Sequence, residues 1–274
     1  MKVVTEDILR SSRPGTFEDS VSIEGNVRSG AHIRVHGDLN VRGDVKDALI
    51  EVDGDVRITG GFLGRGTGRV TCGGDFSACF VQSQRVEARG HVTVDKALIS
   101  CEVFSSGNVN VGNENGVIVG GSIHALGNVQ AAVLGGKRPV QTRIEVGVDP
   151  ILALRVEELE REAMELTRKR IGFLKDAAII AERPGDGDDG ECALDMKTAA
   201  DAIMADIVAA GEEILEVRKR TALDRQAFVK VGRNSYPPLE VSICFSRLVN
   251  ERETGPVVFR LLEDRIVLDT WNLE

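Results

Sequence analysis

The residues best equipped for chemistry are five cysteines and four histidines, and their spacing decides what they could do. Cys72, Cys79, Cys101, Cys192 and Cys244 include no pair separated by two residues, so a local thiolate clip for zinc is not encoded. His32, His36, His91 and His124 all lie in the first half of the chain. Histidines gathered across a subunit seam hold zinc in β-helix carbonic anhydrases; the residue type is present here, but no spacing demands that site. His32 and His36 could share a face, without an evident carboxylate constellation beside them. The runs Gly60-Gly61-Phe62-Leu63-Gly64 and Gly116-Val117-Ile118-Val119-Gly120-Gly121 lack both phosphate-loop patterns, GxGxxG before a helix and GxxxxGK[ST]. Asp186, Asp188, Asp189 and Glu191 have the composition of a calcium loop but not its bidentate twelfth-position Glu, so they form a solvated tip. No catalytic, cofactor-binding or metal-ligating residue is assigned, and no cofactor is expected.

The elements that carry these residues are repetitive. A Gly-x-apolar-x-apolar unit begins at Gly37, Gly54, Gly74, Gly90, Gly107 and Gly127, spaced by 17, 20, 16, 17 and 20 residues. Within each unit the alternation is that of a strand with one buried face. Two residues before each glycine stands a residue of the same inward register: Val35, Val52, Cys72, Ala88, Ser105 and Ala125. The glycine and the following Asp, Asn or His91 form the turn, and left-handed backbone angles are expected there. Inward positions make Cys72 and Cys101 small apolar residues. Units this small cannot bury an apolar face alone and must stack into a solenoid. Val27, Ile33, Leu39 and Val45 keep the six-residue spacing of a left-handed β-helix, but the coil length then varies, which favours a right-handed parallel β-helix.

A different pattern follows. Asp149-Pro150 is a helix start, an N-cap acid before a first-turn proline. Leu152, Val156, Leu159, Ala163, Leu166, Arg170, Phe173, Ala177 and Ile180 then alternate by four and three, a heptad seam with one charged interruption. Residues 182–191, with Pro184, Gly185, Gly187 and Gly190, make the tip. Met196, Ala200, Ile203, Ile207, Ala210, Ile214, Val217 and Thr221 form the return seam. The expectation is an antiparallel coiled-coil hairpin, projecting as a rod of about 45 Å or folded on the solenoid flank. The tail returns to strands over 228–231, 239–245 and 256–261, with 266–268 as a possible fourth, and these cover the solenoid's end. The expected organisation is a lead-in and partial cap (1–20), a β-helix (21–148), a helical hairpin (149–223) and a C-terminal β segment (224–274).

Composition agrees with these divisions and excludes several functions. Residues 21–147 hold 22 of the 30 glycines and are electrically neutral, whereas residues 148–223 carry a net charge of −7. The net charge of −9 disfavours nucleic-acid binding, which needs a positive surface. Aromatics at 4 % are too few for a sugar- or base-stacking surface. No apolar run approaches a membrane span, and the acids of Met1–Asp7 stand where a signal peptide is apolar, so a cytoplasmic protein with no direct membrane insertion is expected. A reducing compartment leaves the cysteines free of disulfides.

The Gly-Asp-x-x-x-x-Gly-Gly pattern of Gly54 to Gly61, the Gly120-Gly121 pair, and Gly135-Gly136 leading to Thr142–Gly147 form a distinctive series. With Asp149-Pro150, the charged heptad hairpin and the Tyr236-Pro237 turn, the chain resembles the flagellar assembly protein A (FapA) family over about residues 20–270. The resemblance implies a right-handed β-helix with a coiled-coil insertion and no catalytic residues. Family members usually carry a large domain before the solenoid; about 20 residues precede it here, so the chain resembles a short form. The family's Pro-Gly tail turn is Pro237-Pro238 in this sequence. Bactofilins, which polymerise, resemble the solenoid alone. The expected function is a non-enzymatic scaffold for flagellar assembly or polar cell-surface organisation, acting through protein partners and as a homo-oligomer. The alternatives are a regulatory binding module for a signalling protein, or a β-helix enzyme such as an acyltransferase or carbonic anhydrase.

Overall fold

The computed structural model describes residues 2–4, 15–112, 114–181 and 188–270, with side chains described except at residues 181 and 188–191. It forms two compact units, residues 1–151 with 222–274, and residues 152–221. The expected lead-in is covered only near its ends, and most of the expected tip falls outside the described residues.

The first unit is a parallel β-solenoid built on three stacked ladders. In one, Lys2, Val21, Leu39, Val56, Phe76, Val92, Val109, Val129 and Val229 pair in unbroken succession. In the second, Gly15, Ile33, Ile50, Val70, Val86, Val103, Ile123, Ile144 and Val241 do the same. The third runs from Val27 through Val45, Phe62, Val81, Leu98, Ile118 and Leu134 to Ser235. Their inward side chains join in one buried core. Each coil covers the apolar edge of its neighbour, which is why short strands with poor individual stability suffice.

The turn glycines serve a different purpose from the one expected. Gly37, Gly54, Gly74, Gly90, Gly107 and Gly127 do not have positive φ. A Cβ on Gly54, Gly74, Gly90 or Gly127 would instead run into Asp38, Asp55, Asp75 or Asn108 of the coil before. Those side chains form their own ladder along the turn edge. Ser20 Oγ accepts from the Asp38 N–H at 3.0 Å, Asp38 from Asp55 at 2.9 Å, and Asp55 from Asp75 at 2.7 Å. Asp75 then accepts from His91 at 2.7 Å, His91 Nδ1 from Asn108 at 3.0 Å, and Asn108 from Asn128 at 2.8 Å. The residue after each glycine is thus an acceptor for the next turn's backbone, and His91 fills the role only with an unprotonated Nδ1. Left-handed angles occur elsewhere, as at Gly120 (φ 69°) and Gly121 (φ 81°).

The second unit is the helical hairpin of α1 (Pro150–Ala181) and α2 (Asp188–Arg220). Asp149 Oδ1 accepts from the Ile151 N–H at 3.0 Å, the N-cap bond that opens α1. α2 starts within the segment read as tip. The helices run antiparallel: Arg155 near the start of α1 pairs with Glu213 near the end of α2 at 2.8 Å, and Glu160 pairs with Arg218 at 2.5 Å. Leu159, Ala177 and Ala200 are buried and the other seam residues half-buried, except Phe173, which is 37 % exposed beside half-buried Leu174. Seam residue Arg170 has a buried Nε with no hydrogen-bond partner.

After α2 the chain resumes the solenoid. Phe228–Ser235 and Leu239–Ile243 pair in parallel with Val129–Leu134 and Thr142–Val146, so parallel coiling runs past residue 148. The direction then reverses. Ser246–Asn250 lies antiparallel on Leu239–Ile243, and Val257–Leu262 antiparallel on Phe228–Ser235, with Arg265–Thr270 outside it. These reversals provide the covering strands expected from the tail.

Candidate functional site

Alternation along the second ladder turns every other residue outward, and stacking lines those residues into two columns. One runs through His32, Leu49, Arg69, Arg85, Glu102, Ser122, Arg143 and Glu240. Beside it run Arg34, Glu51, Thr71, Glu87, Phe104, His124, Glu145 and Ser242. Together they line one side of the solenoid with mainly charged and polar side chains.

Its centre is Glu87, whose side chain is only 8 % exposed and is held by Arg69 Nη2 and Arg85 Nε, each at 2.6 Å. Arg85 also reaches Glu102 at 3.2 Å and lies 4.6 Å from the centroid of the Phe104 ring. Phe104 stacks on His124, with centroids 4.9 Å apart and planes 3° from parallel. His124 Nδ1 meets Glu145 Oε2 at 3.0 Å. That hydrogen bond, against the opposing effect of burial, holds the Glu145 carboxyl below its ordinary value. Farther along, buried Glu240 is gripped by Arg143 at 3.4 Å and Arg247 at 2.8 Å. Toward the N-terminal end a groove of about 420 Å³ is lined by His32, Arg34, Leu49, Glu51, Arg69 and Thr71. Charges shared between two partners of opposite sign, with an aromatic clamp beside them, stiffen this face and present mixed charge to a ligand.

The histidines do have carboxylates beside them, contrary to the local sequence, because the acids come from neighbouring coils. His36 Nδ1 lies 2.8 Å from Asp53 and His32 Nε2 lies 3.9 Å from Glu51. No group of three or more potential metal-ligating side chains occurs among the described residues. Cys72 and Cys101 are buried, and burial pushes the Cys72 thiol up to about 12 and raises that of Cys101. Cys79 and Cys244 are half-buried and Cys192 is exposed. Burial also raises the Cys244 thiol. Thiols raised in this way are poor nucleophiles and poor metal ligands at neutral pH. The glycine runs fall on strands Val56–Leu63 and Val117–Ala125, with Gly64 and Gly116 just beyond their ends, and not at helix starts. The side chains of Asp186, Asp188, Asp189 and Glu191 lie outside the described residues.

Sequence reading singled out none of Arg69, Arg85, Glu87, Phe104 or Glu145. The usable signal was the outward position in each coil's second strand, but pairing across coils requires the ladder register. Among the described residues no helix is long and apolar enough to cross a membrane. No curated protein and no solved structure matches the chain. The family model described as the flagellar assembly protein A β-solenoid domain matches residues 15–266. That span takes in the stacked coils, the inserted hairpin and the reversing strands, and the chain belongs to the FapA family.

Proposed function

We propose that the protein is a non-enzymatic scaffold of flagellar assembly, acting in the cytoplasm through contacts with other proteins. The family is a non-catalytic flagellar assembly family, and its match covers most of this chain. The observation that carries the scaffold reading is the Arg69–Glu87–Arg85–Phe104–His124–Glu145 chain of contacts. Each polar group in it is engaged by a neighbour, which suits a rigid recognition face better than a reacting centre. Catalysis needs a nucleophile or base left free to meet substrate. On this reading the solenoid presents a fixed charged face and the hairpin a second contact surface.

The test is genetic and visual. Disrupting the gene in its own host should change the number or placement of flagella in electron micrographs. Restoring the gene with the exposed acids of this face reversed, Glu102→Arg and Glu145→Arg together, should fail to correct the defect while the protein accumulates normally. Flagella unchanged by the disruption would contradict the flagellar role. Full correction by the doubly substituted protein would contradict the role of the charged face.

A further inference from the structure

One face of the hairpin carries a row of exposed apolar side chains. Every seam residue is followed by a position about 100° round the helix. In an antiparallel pair, those positions on both helices fall on the same side. The ion pairs verify this assignment. Glu160 and Arg218, which bond each other, follow seam residues Leu159 and Val217, while Arg155 and Glu213, which also bond, precede Val156 and Ile214. The following-side face carries Met164 and Ile171 from α1 and Met204, Val208 and Leu215 from α2, all exposed, Met164 to 61 % and Leu215 to 58 %. The preceding-side face is mainly acidic, with exposed Glu158, Glu162 and Glu165 on α1 and Asp206, Glu213 and Glu216 on α2, and with Lys169 and one large exposed apolar residue, Ile179, toward the tip. A hairpin exposed to water on both faces would not concentrate large apolar residues on one of them.

The charges bordering the apolar face identify its occupant. On α1 the outer border is basic, Arg161, Arg168 and Lys175 at seven-residue spacing. On α2 the matching border, two residues past Ala210 and Val217, carries Glu212 and Lys219, and the acid Asp201 lies just inside it, directly after Ala200. Among the described residues Lys219 pairs with Glu216 of its own helix at 2.8 Å, whereas Arg161, Arg168, Lys175, Asp201 and Glu212 have no ion-pair partner. We propose that this face docks on the same face of a second copy, so that two hairpins, tips at the same end, form an antiparallel four-helix bundle. In that arrangement α1 lies between its own α2 and the second copy's α2, and its basic border faces the unpaired acids Asp201 and Glu212. The antiparallel bridge Val148↔Leu223 fixes the level of the two arms and puts Arg161 within two residues of the level of Glu212. The opposite arrangement, tips at opposite ends, would set Arg161, Arg168 and Lys175 against their own copies. A two-fold contact also closes and does not propagate into fibres. This inference stands apart from the flagellar role and depends on neither partner nor pathway.

The experiment is light scattering on the full chain, read beside circular dichroism. The chain should have twice its 29.6 kDa mass at micromolar concentration. Met164→Glu with Val208→Glu should halve that mass and leave the helical signal unchanged, since neither residue lies in the intramolecular seam. Arg161→Glu should raise the dissociation constant roughly five-fold, and adding Glu212→Arg should restore it. A monomeric parent chain would overturn the proposal and leave the face to a different protein. A doubled mass that survives Met164→Glu with Val208→Glu would also overturn it and place association elsewhere. If Glu212→Arg deepened the effect of Arg161→Glu, the arrangement with tips together would be wrong.

Discussion

Asn128 Oδ1 accepts a hydrogen bond from the backbone N–H of Phe228, at 3.0 Å and 100 residues along the chain. The bond repeats the one that Asn108 makes with Asn128 one coil earlier. The hairpin therefore enters where a turn would lie, and the turn-edge ladder continues as if nothing had been inserted. Asp149 N–H donates to Ala222 C=O at 3.3 Å, which closes the opening on the solenoid side.

The turn-edge ladder predicts a coupled pair. Gly74→Ala places a methyl group against the Asp55 carboxylate and should destabilise the protein by about 1–3 kcal/mol. Asp55→Ala alone removes the acceptor for the Asp75 N–H and should cost about 1 kcal/mol. Together they should cost less than the sum, because the clash disappears with the carboxylate. Urea unfolding of the three variants measures this, and strict additivity would show that the glycine is needed for some other reason.

Glu87 is the buried charge of the outward face. Arg69→Ala with Arg85→Ala strands its carboxylate and should cost about 3 kcal/mol. Adding Glu87→Leu should regain most of that loss. Thermal melts decide the matter, and a triple variant no more stable than the double would contradict the pairing.

The His124–Glu145 contact makes stability depend on acid. The Glu145 carboxyl is held below its ordinary value of 4.5, first by the His124 hydrogen bond. A depressed folded-state value gives stability that is present above 4.5 and lost as pH falls through the folded value. His124→Phe keeps a ring on Phe104 but removes that bond. The parent should therefore melt higher than the variant at about pH 6, with the gap narrowing by about pH 3. A gap of the same size at both values would contradict the linkage.

The seam of the hairpin should be separable from the solenoid. Leu159→Asp and Ile207→Asp place unpaired charges in the seam at several kcal/mol each and should abolish the helical dichroism while the β signal persists. Arg170→Leu should raise the stability of the helices by about 1 kcal/mol, since the Arg170 Nε is buried without a partner. Loss of helix and β signals together would show that the two units fold as one.

Both repeats were legible in the sequence because each rests on local periodicity. The Gly-x-apolar unit named the strands of one ladder, and the four-three spacing named the helical seam except Phe173, near the tip. What depended on stacking was not legible. Asp53 beside His36 and Asp38 beneath Gly54 are each 17 or 16 residues distant, and the variable coil length hides that register. The continued coiling after α2 was hidden for a related reason. Arg225-Gln226-Ala227 precedes Phe228 without the Gly-Asn signal, because the hairpin has taken the place of that turn.

The most direct measurement is the thermal melt, by far-ultraviolet circular dichroism, of a chain in which Gly-Asn replaces residues 150–221. Val148 and Leu223 already pair across the base, so a two-residue link can close the gap. A solenoid continuous through the insertion predicts a soluble β protein without helical signal, melting within about 5 °C of the full chain. An unfolded or aggregated product would contradict it and make the hairpin a required part of the solenoid fold.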